Sequence, residues 1–481
     1  MLFNSLIFLI FLPLVFFGYW FVFRQKNLQN FFILIASYTF YGWWNWQCLF
    51  LILLTTVICY ISGRSISKTC KKNVKKWICG ISIGLNICIL CYFKYFNFFS
   101  ENLKLIFSQF GFQLDWFTLD ILLPVGISFY TFQAISYPID VYRGKIDATK
   151  DFIAFSAFIS FFPQLVAGPI EQSTQLLPQF FRTRHFDYVN ATLGMRQILW
   201  GFFKKMVIAD NCAFLVNKIF DNYTSCSSSE LILGAFLFTF QIYGDFSGYS
   251  DIALGTARLF SFKLTRNFRF PYFSENIAEF WRRWHISLNT WFINYIYIPL
   301  GGSRGSRLKT IRNIMIVFLL SGLWHGANWT FIIWGMYHGL LVSGYTLISG
   351  NRKYHMAPAH STRSWWKKSM SILLTFCCVA FGWIIFRSPD IMAAIHYVSL
   401  SFSGFDTSNT FIIHEYELLM AYTLIMIIIM MAFEWTQRNN LFGLQIVEGK
   451  PLILRWSTYL SICLFIIIFS GQQTDFIYFQ F

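Results

Sequence analysis

The chain has 481 residues, of which 56% are hydrophobic, 21% aromatic and only 12% charged. Soluble domains carry about a quarter of charged residues, so this composition excludes a soluble protein and predicts an all-α polytopic membrane protein in contact with lipid. The formal net charge of +16 comes without a soluble basic domain or a nucleic-acid-binding motif, which excludes nucleic acid as a partner.

The first apolar segment, Ser5 to Phe23, has no basic residue before it and no small-residue cleavage site after it, so we expect a retained first span rather than a signal peptide. Crossing the hydrocarbon takes about 20 apolar residues, and several later runs are shorter. We therefore expect on the order of 11 transmembrane helices plus re-entrant and interfacial helices, in one integral-membrane domain over residues 1–481. The later runs are centred in 31–40, 49–61, 77–93, 121–137, 152–166, 198–214, 231–243, 314–323, 331–347, 370–386, 418–433 and 459–469.

Basic residues are concentrated in a few polar connections between these runs. The positive-inside rule makes those connections cytoplasmic and puts the N-terminus outside a cell (inner) membrane. The longest polar connection, Gly350 to Lys368, contains His355 and His360, which we expect to be solvated rather than metal-binding. No metal site is expected in the chain. The basic clusters are Arg24 and Lys26, Arg64 to Lys76, Arg143 to Lys150, Arg304 to Arg312, and Arg363 to Lys368.

Three stretches interrupt the apolar pattern before the first histidine motif. Leu123 to Tyr130 and Phe162 to Pro169 contain proline and glycine, which predicts broken backbone lining the protein interior. Tyr243 to Asp251 contains Asp245 and Asp251, and carboxylates at membrane depth are costly unless they are paired or hydrated. We expect both aspartates to have a structural role rather than a catalytic one, either orienting a helix break or accepting hydrogen bonds from tyrosine hydroxyls.

A histidine lies in the stretch Phe280 to Leu288, directly after Arg282, Arg283 and a tryptophan. Two interpretations are open. The stretch is either an interfacial amphipathic helix whose arginines meet lipid phosphates, or a ligand site. On a helix, His285 would share a face with Trp281, Trp284, Leu288 and Phe292.

A second histidine, His325, lies in the stretch Ser321 to Trp329 within a strongly apolar region. An ionisable residue at membrane depth indicates a functional site by default. Its helical neighbours include Gly322 and Gly326, so the imidazole is expected to face an open space that admits a narrow substrate. The alternative is a packing histidine, with the glycines allowing close helix approach. His338 would support His325 from behind if the two flanking helices form a hairpin.

Together, the stretches around His285 and His325 resemble the signature of the membrane-bound O-acyltransferases, and most closely the alginate O-acetyltransferase-like branch. The resemblance extends to 381–387 and 476–481. It implies that both histidines are catalytic, that the helices surround a central tunnel, and that the donor is a cytoplasmic thioester. That donor is a substrate, either acetyl-CoA or an acyl carrier thioester, so no bound cofactor is expected.

The residue types suit acyl transfer to a hydroxyl. Neutral imidazole can take the hydroxyl proton near neutral pH, and burial favours its neutral form. Asn328, the indole of Trp324 and the backbone of Gly326 are candidate donors to the oxyanion. Arg282 and Arg283 would bind phosphates of the donor, because guanidinium groups match phosphate geometry.

The resemblance implies that an acetyl group crosses the membrane for O-acetylation of an exported or cell-wall polysaccharide. D-alanyl or other acyl transfer to a cell-envelope polymer, and a polytopic transporter or flippase, are the alternatives. Transporters usually have two related halves, and the His325 and Asp245 stretches occur once, which favours the enzyme.

The connections Asp221 to Glu230 and Ser401 to Asn409 are short, so a partner must hold the polymer. The resemblance points to an extracytoplasmic SGNH/serine-hydrolase-like acyltransferase.

Overall fold

The computed structural model describes residues 1–112, 123–166, 168–349, 364–404 and 411–479. All regular structure in these ranges is helical, and seven of the helices are long and apolar enough to cross a membrane, which confirms the all-α polytopic fold. Residues 350–363 of the predicted loop, which include His355 and His360, lie outside the described residues, and its last four residues begin the helix Trp365–Arg387. The seven are Trp46–Lys68, Lys72–Gln109, Ser228–Leu259, Trp329–Ser349, Trp365–Arg387, Glu417–Thr436 and Leu452–Phe469; shorter apolar helices are Leu6–Val22, Phe152–Leu165 and Ile391–Ser401.

The chain divides into two compact units. The expectation of one integral-membrane domain over residues 1–481 stays a prediction. The first comprises residues 1–191 and 256–265. Its helices are Leu6–Phe17 continuing as a π-helical turn to Val22, Lys26–Gly42, Trp46–Cys48, Leu49–Lys68, Lys72–Leu90 continuing as a π-helical turn to Tyr95, Phe96–Gln109, Ile127–Tyr142, Phe152–Ser160, Phe162–Leu165, Ser173–Leu176 and Leu177–Phe181.

Backbone breaks in the first unit fall where proline and glycine predict them. Gly126 adopts a left-handed conformation with φ of 74° immediately before the helix Ile127–Tyr142, and only glycine takes that conformation without steric cost. In the second stretch, the helix Phe162–Leu165 is only 4 residues long and ends before Val166. The prediction of broken backbone in both stretches is confirmed.

The second unit comprises residues 192–255 and 266–481 and contains both histidine motifs. The helices that lie wholly or mostly in it are Tyr188–Phe202 continuing as a π-helical turn to Ala209, Asp210–Asp221, Ser228–Leu259, Pro271–Phe273, Ile277–Arg283, Ile286–Phe292 continuing as a π-helical turn to Tyr297, Arg307–His325, Trp329–Ser349, Trp365–Arg387, Ile391–Ser401, Phe411–Glu415, Glu417–Thr436, Gly443–Val447, Leu452–Phe469 and Ile477–Phe479.

Two predictions about the second unit are wrong: a helix break near Asp245 and Asp251, and an open space beside His325. The stretch Tyr243 to Asp251 does not break a helix, because it lies within the continuous helix Ser228–Leu259. Its carboxylates are tolerated there because buried lysines pair with them: Lys205 with Asp245, and Lys204 with Asp251.

The space expected beside the glycines before and after His325 is also filled. The helices Arg307–His325 and Trp329–Ser349 form a hairpin, as the interpretation of His338 required. A Cβ added to Gly322 would collide with the carbonyl oxygen of Phe331, and one added to Gly326 would collide with the phenyl ring of Phe331. The open-space prediction is therefore wrong for this face. The glycines serve close helix approach instead.

Candidate active site

His285 lies at a sharp turn between two short helices, Ile277–Arg283 and Ile286–Phe292. Its backbone is left-handed, with φ of 45°, and its side chain is buried. The interpretation as one amphipathic helix is therefore not met, because the helix breaks at His285. A left-handed conformation is unfavourable for a residue with a Cβ, so the surrounding structure must hold it, and such residues cluster at active sites.

Two asparagines hold this turn. The backbone oxygen of Asn267 accepts from the N–H of Ile286 at 2.9 Å, and its side-chain oxygen accepts from the Ser287 hydroxyl at 2.6 Å. The amide of Asn289 donates to the carbonyl of Trp284 at 2.7 Å. These partners satisfy backbone groups that the helix break would leave unpaired. Sequence analysis missed both asparagines, although an amide in so aromatic a region is itself a signal.

His325 is the last residue of the helix Arg307–His325 and is buried among aromatic rings. The ring centroids of His285 and His325 lie 6.5 Å apart, so the two motifs converge in space although 40 residues separate them in sequence. Among the described residues, rings within 5.5 Å of His325 include Trp334 at 5.0 Å, Trp324 at 5.1 Å, and Tyr478 and Phe386 at 5.5 Å. We call His285, His325, Trp324, Trp334 and Tyr478 the histidine cluster.

Tyr478 reaches this cluster from the far end of the chain. Its ring lies 5.5 Å from that of His325 and 6.4 Å from that of His285. Sequence analysis included the surrounding segment in the resemblance but did not single out this tyrosine. The available signal was an aromatic hydroxyl in an otherwise apolar run, a polar group that needs a partner.

His338 lies behind the cluster. It is fully buried, and its ring packs against Trp281 at 5.0 Å and Trp334 at 5.1 Å. Trp334 also contacts His325, so a single indole separates the two imidazoles. Among the described residues, neither ring nitrogen of His338 has a hydrogen-bond partner. Its predicted support of His325 would act through Trp334 and stays a prediction.

The two predicted carboxylates are each paired. The Asp245 carboxylate lies 2.7 Å from Lys205 Nζ and accepts from the backbone N–H of Ile477 at 2.6 Å. Asp245 therefore ties the helix Ser228–Leu259 to the segment that carries Tyr478.

Asp251 belongs to a second group of polar side chains. It lies 2.5 Å from Lys204 Nζ and accepts from the Gln197 amide at 2.7 Å. The tyrosine hydroxyl nearby, that of Tyr243, donates to Glu434 at 2.7 Å rather than to either aspartate. Sequence analysis missed both lysines and Glu434. Charges within apolar runs were the signal that could have found them.

Comparison with known proteins identifies the family. The model of MBOAT, the membrane-bound O-acyltransferase family, matches residues 81–386, a range that contains both histidines of the cluster. This chain belongs to the membrane-bound O-acyltransferase family. It is therefore a membrane protein and an O-acyltransferase.

Relatives of this membrane-bound O-acyltransferase have named activities. The "Probable alginate O-acetylase AlgI" of Pseudomonas aeruginosa is 40% identical over 458 residues, which cover 94% of this chain and 83% of the relative. The "Peptidoglycan O-acetyltransferase" of Helicobacter pylori is 33% identical, with 100% of this chain and 98% of the relative covered. The "Teichoic acid D-alanyltransferase" of Bacillus subtilis is 29% identical and covers 54% of this chain and 68% of the relative.

The residues expected to bind the substrates of this O-acyltransferase have different surroundings. Trp324 lies inside the cluster, with its ring 5.8 Å from that of His285. The Asn328 amide donates to the Pro389 carbonyl at 2.8 Å, and its oxygen accepts from the N–H of Thr330. Asn328 thus anchors the hairpin turn. Its role toward an oxyanion stays a prediction.

Arg283, expected to bind donor phosphate, forms an ion pair with Glu279 at 2.6 Å. Its side chain and that of Arg282 are partly exposed, so both retain access to solvent. Binding of donor phosphate by Arg283 would compete with this carboxylate.

Burial of His285 predicts acid lability of the membrane-bound O-acyltransferase. His285 lies outside the apolar helices, and burial lowers its pKa to about 3, whereas in the unfolded chain it titrates near 6.5. Between these values the unfolded chain binds the extra proton, so the stability present above pH 6.5 is lost as pH falls toward 3. The slope contributed is at most about 1.4 kcal/mol per pH unit.

The measurement is the melting temperature of purified protein between pH 7.5 and 5. His285→Gln should reduce the acid-induced fall, while the same change at the exposed His396 should not alter it. An unchanged pH dependence in the His285→Gln protein would contradict the prediction.

Proposed function

We propose that this O-acyltransferase moves an acetyl group from a cytoplasmic thioester, acetyl-CoA or an acyl carrier thioester, across the cell (inner) membrane for O-acetylation of an exported or cell-wall polysaccharide. The observation that carries the proposal is the convergence of His285 and His325, 6.5 Å apart, within a buried aromatic cluster. The names of the Pseudomonas aeruginosa and Helicobacter pylori relatives, a probable alginate O-acetylase and a peptidoglycan O-acetyltransferase, support the acetyl group and a polysaccharide-containing acceptor.

The proposed chemistry is general base catalysis. Neutral His325 takes the proton of the acceptor hydroxyl while the hydroxyl oxygen attacks the thioester carbonyl carbon. The C–S bond then breaks, and the thiolate takes the proton back from the imidazolium, so protons and charge balance. Neutral His285 has one N–H donor, which in this proposal stabilises the oxyanion of the tetrahedral intermediate together with the Trp324 indole.

The surroundings of the histidines support this division of labour. Aromatic rings exclude water from both imidazoles, and electrostatic stabilisation of a developing oxyanion is stronger where water is absent. For His285, the low pKa keeps the imidazole neutral at physiological pH. The proposed role of His285 as an N–H donor to the oxyanion uses this neutral form.

The donor side yields a prediction for the two arginines. The double variant Arg282→Gln, Arg283→Gln should raise the KM for the thioester donor by about tenfold or more, because a hydrogen bond to a charged group contributes about 1.5–3 kcal/mol. The turnover number should change little, since phosphate binding is the same in the ground and transition states. Steady-state kinetics with varied donor measures both constants.

Glu279→Gln is the matched control for this variant, because it removes the partner of Arg283 but leaves both guanidinium groups. It should leave the donor KM unchanged or lower it. Unchanged donor dependence in the double variant would assign the arginines to lipid contacts instead.

The test of the function uses purified protein in proteoliposomes with acetyl-labelled coenzyme A, candidate glycan oligomers and the expected extracytoplasmic acyltransferase partner. An acetyltransferase releases free coenzyme A thiol and transfers label to a hydroxyl, whereas a transporter leaves the thioester intact. Parallel reactions with a D-alanyl carrier thioester separate the two acyl groups. Faster transfer of D-alanine than of acetyl would overturn the choice of acetyl.

A further inference from the structure

The segment of residues 469–479, which carries Tyr478, is tied to one small region of the second unit. The Asn211 amide donates to the Phe469 carbonyl at 2.7 Å, and the Gly471 N–H donates to the Met206 carbonyl at 3.0 Å. Further along, the Thr474 hydroxyl donates to the Asp210 carboxylate at 2.6 Å. The contacts recur from one end of the segment to the other.

Lys205 lies at the centre of these ties. Its side chain is completely buried, and its Nζ lies 2.7 Å from Asp245 and 2.8 Å from Asp210. It also donates to the backbone oxygen of Thr474 at 3.0 Å and lies 3.3 Å from the Thr474 hydroxyl. An ammonium has three N–H donors, and here two carboxylates and Thr474 take them. The buried charge is therefore fully satisfied only while Thr474 is in place.

The same contacts set the position of Tyr478. Asp245 accepts the N–H of Ile477, which fixes the backbone one residue before the tyrosine. The next residue on the aspartate's helix, Phe246, packs against the ring of Tyr478 at 4.8 Å and that of His285 at 4.7 Å. One turn of helix thus holds both the backbone of the segment and the rings of the histidine cluster.

Stability alone does not explain why buried ion pairs and hydrogen bonds, rather than apolar contacts, hold the 469–479 segment. An apolar group of similar volume is often as stabilising as a buried ion pair, because the pair must first be desolvated. What ions and hydrogen bonds add is direction, since only one arrangement satisfies every donor. A reacting site needs its groups held within about half an ångström.

We propose that Lys205 is a positioning residue: with Asp210 and Asp245 it clasps Thr474 and so keeps Tyr478 against His285 and His325 during acyl transfer. The inference rests on the proposed function for its kinetic consequence, but the clasp itself is a property of the folded chain. Loosening it should move the 469–479 segment and leave the rest of the fold in place.

The variant that tests the clasp is Thr474→Val, which removes the hydroxyl bonds and keeps the side-chain shape and the buried ions. Thr474→Ser restores the hydroxyl. Thr423→Val is the matched control, because the Thr423 hydroxyl donates to the Leu419 carbonyl within its own helix. Lys205→Arg, which keeps the charge in a different shape, is the second test of the centre of the clasp.

Three readouts are measured on purified full-length protein: hydrogen exchange of residues 469–479, the rate at which diethyl pyrocarbonate modifies His325, and kinetics with acetyl-CoA as donor. Thr474→Val should speed exchange at Gly471 and Ile477 by about tenfold, as expected for loss of about 1–1.5 kcal/mol. It should also raise His325 modification and lower kcat by about tenfold, with donor KM within about twofold. Thr474→Ser and Thr423→Val should behave as the parent.

Unchanged exchange and unchanged His325 modification in both Thr474→Val and Lys205→Arg would overturn the clasp. If Thr474→Val or Lys205→Arg speeds hydrogen exchange and His325 modification but keeps the kcat of the Thr423→Val control, the positioning role is overturned. The first two readouts do not require turnover, so a failure of the proposed acetyl transfer would appear as absent activity in the parent protein with the exchange result intact.

Discussion

Replacing His325 by alanine is expected to lower the rate of O-acyl transfer by about 10²–10⁴-fold, the contribution of a positioned general base. The side chain lies at the end of its helix and packs within 5.5 Å of Trp324, Trp334, Phe386 and Tyr478, none of which acts as a base near neutral pH. The second imidazole, that of His285 at 6.5 Å, serves as the oxyanion donor in the proposed chemistry. Transfer is measured as thiol release and as label on the acceptor, at equal amounts of purified protein.

Loss of the ring also leaves a void, so a second substitution is needed. His325→Gln fills most of the volume and should be nearly as inactive, because an amide cannot act as a base near neutral pH. His396→Ala, a change at an exposed histidine of the helix Ile391–Ser401, controls for removal of an imidazole. A folded His325→Ala or His325→Gln protein with parental transfer would refute the assignment. His285→Ala should also impair transfer.

Acetylation of polymer is expected to require a second protein. The connection between the helices Asp210–Asp221 and Ser228–Leu259 is short, and part of the second predicted outward connection, residues 405–409, lies outside the described residues. A short connection provides no surface that could hold a polysaccharide and orient its hydroxyls. We expect an extracytoplasmic acyltransferase with an SGNH/serine-hydrolase-like fold to supply that surface and to take the acetyl group first.

The measurement is reconstitution with acetyl-CoA and polymer, with and without such a partner. Polymer acetylation should be near background without it, while a partner whose nucleophilic serine is replaced by alanine should bind but not restore transfer. Efficient polymer acetylation by this chain alone would contradict the two-protein scheme and leave the single-chain acetyltransferase.

Local patterns in the amino-acid sequence were sufficient for the fold class and for the two histidines. The apolar composition and the long uncharged runs predict membrane helices, because hydrocarbon tolerates little else. Proline and glycine in the stretch Leu123 to Tyr130 predict broken backbone, because that effect acts within a few residues. The open space expected beside Gly322 and Gly326 is instead filled by Phe331 from the next helix. The family resemblance implied that His285 and His325 belong to one site, which neither local pattern predicts by itself.

What lay beyond sequence reasoning depends on contacts between distant parts of the chain. Lys205 and Thr474 are 269 positions apart, and Tyr243 and Glu434 are 191 apart, so no local periodicity could pair them. The left-handed turn at His285 is likewise imposed from outside, by Asn267 and by the packing around it, against the local preference of the backbone. A buried charge in a sequence predicts that a partner exists, but only folding brings that particular partner within reach.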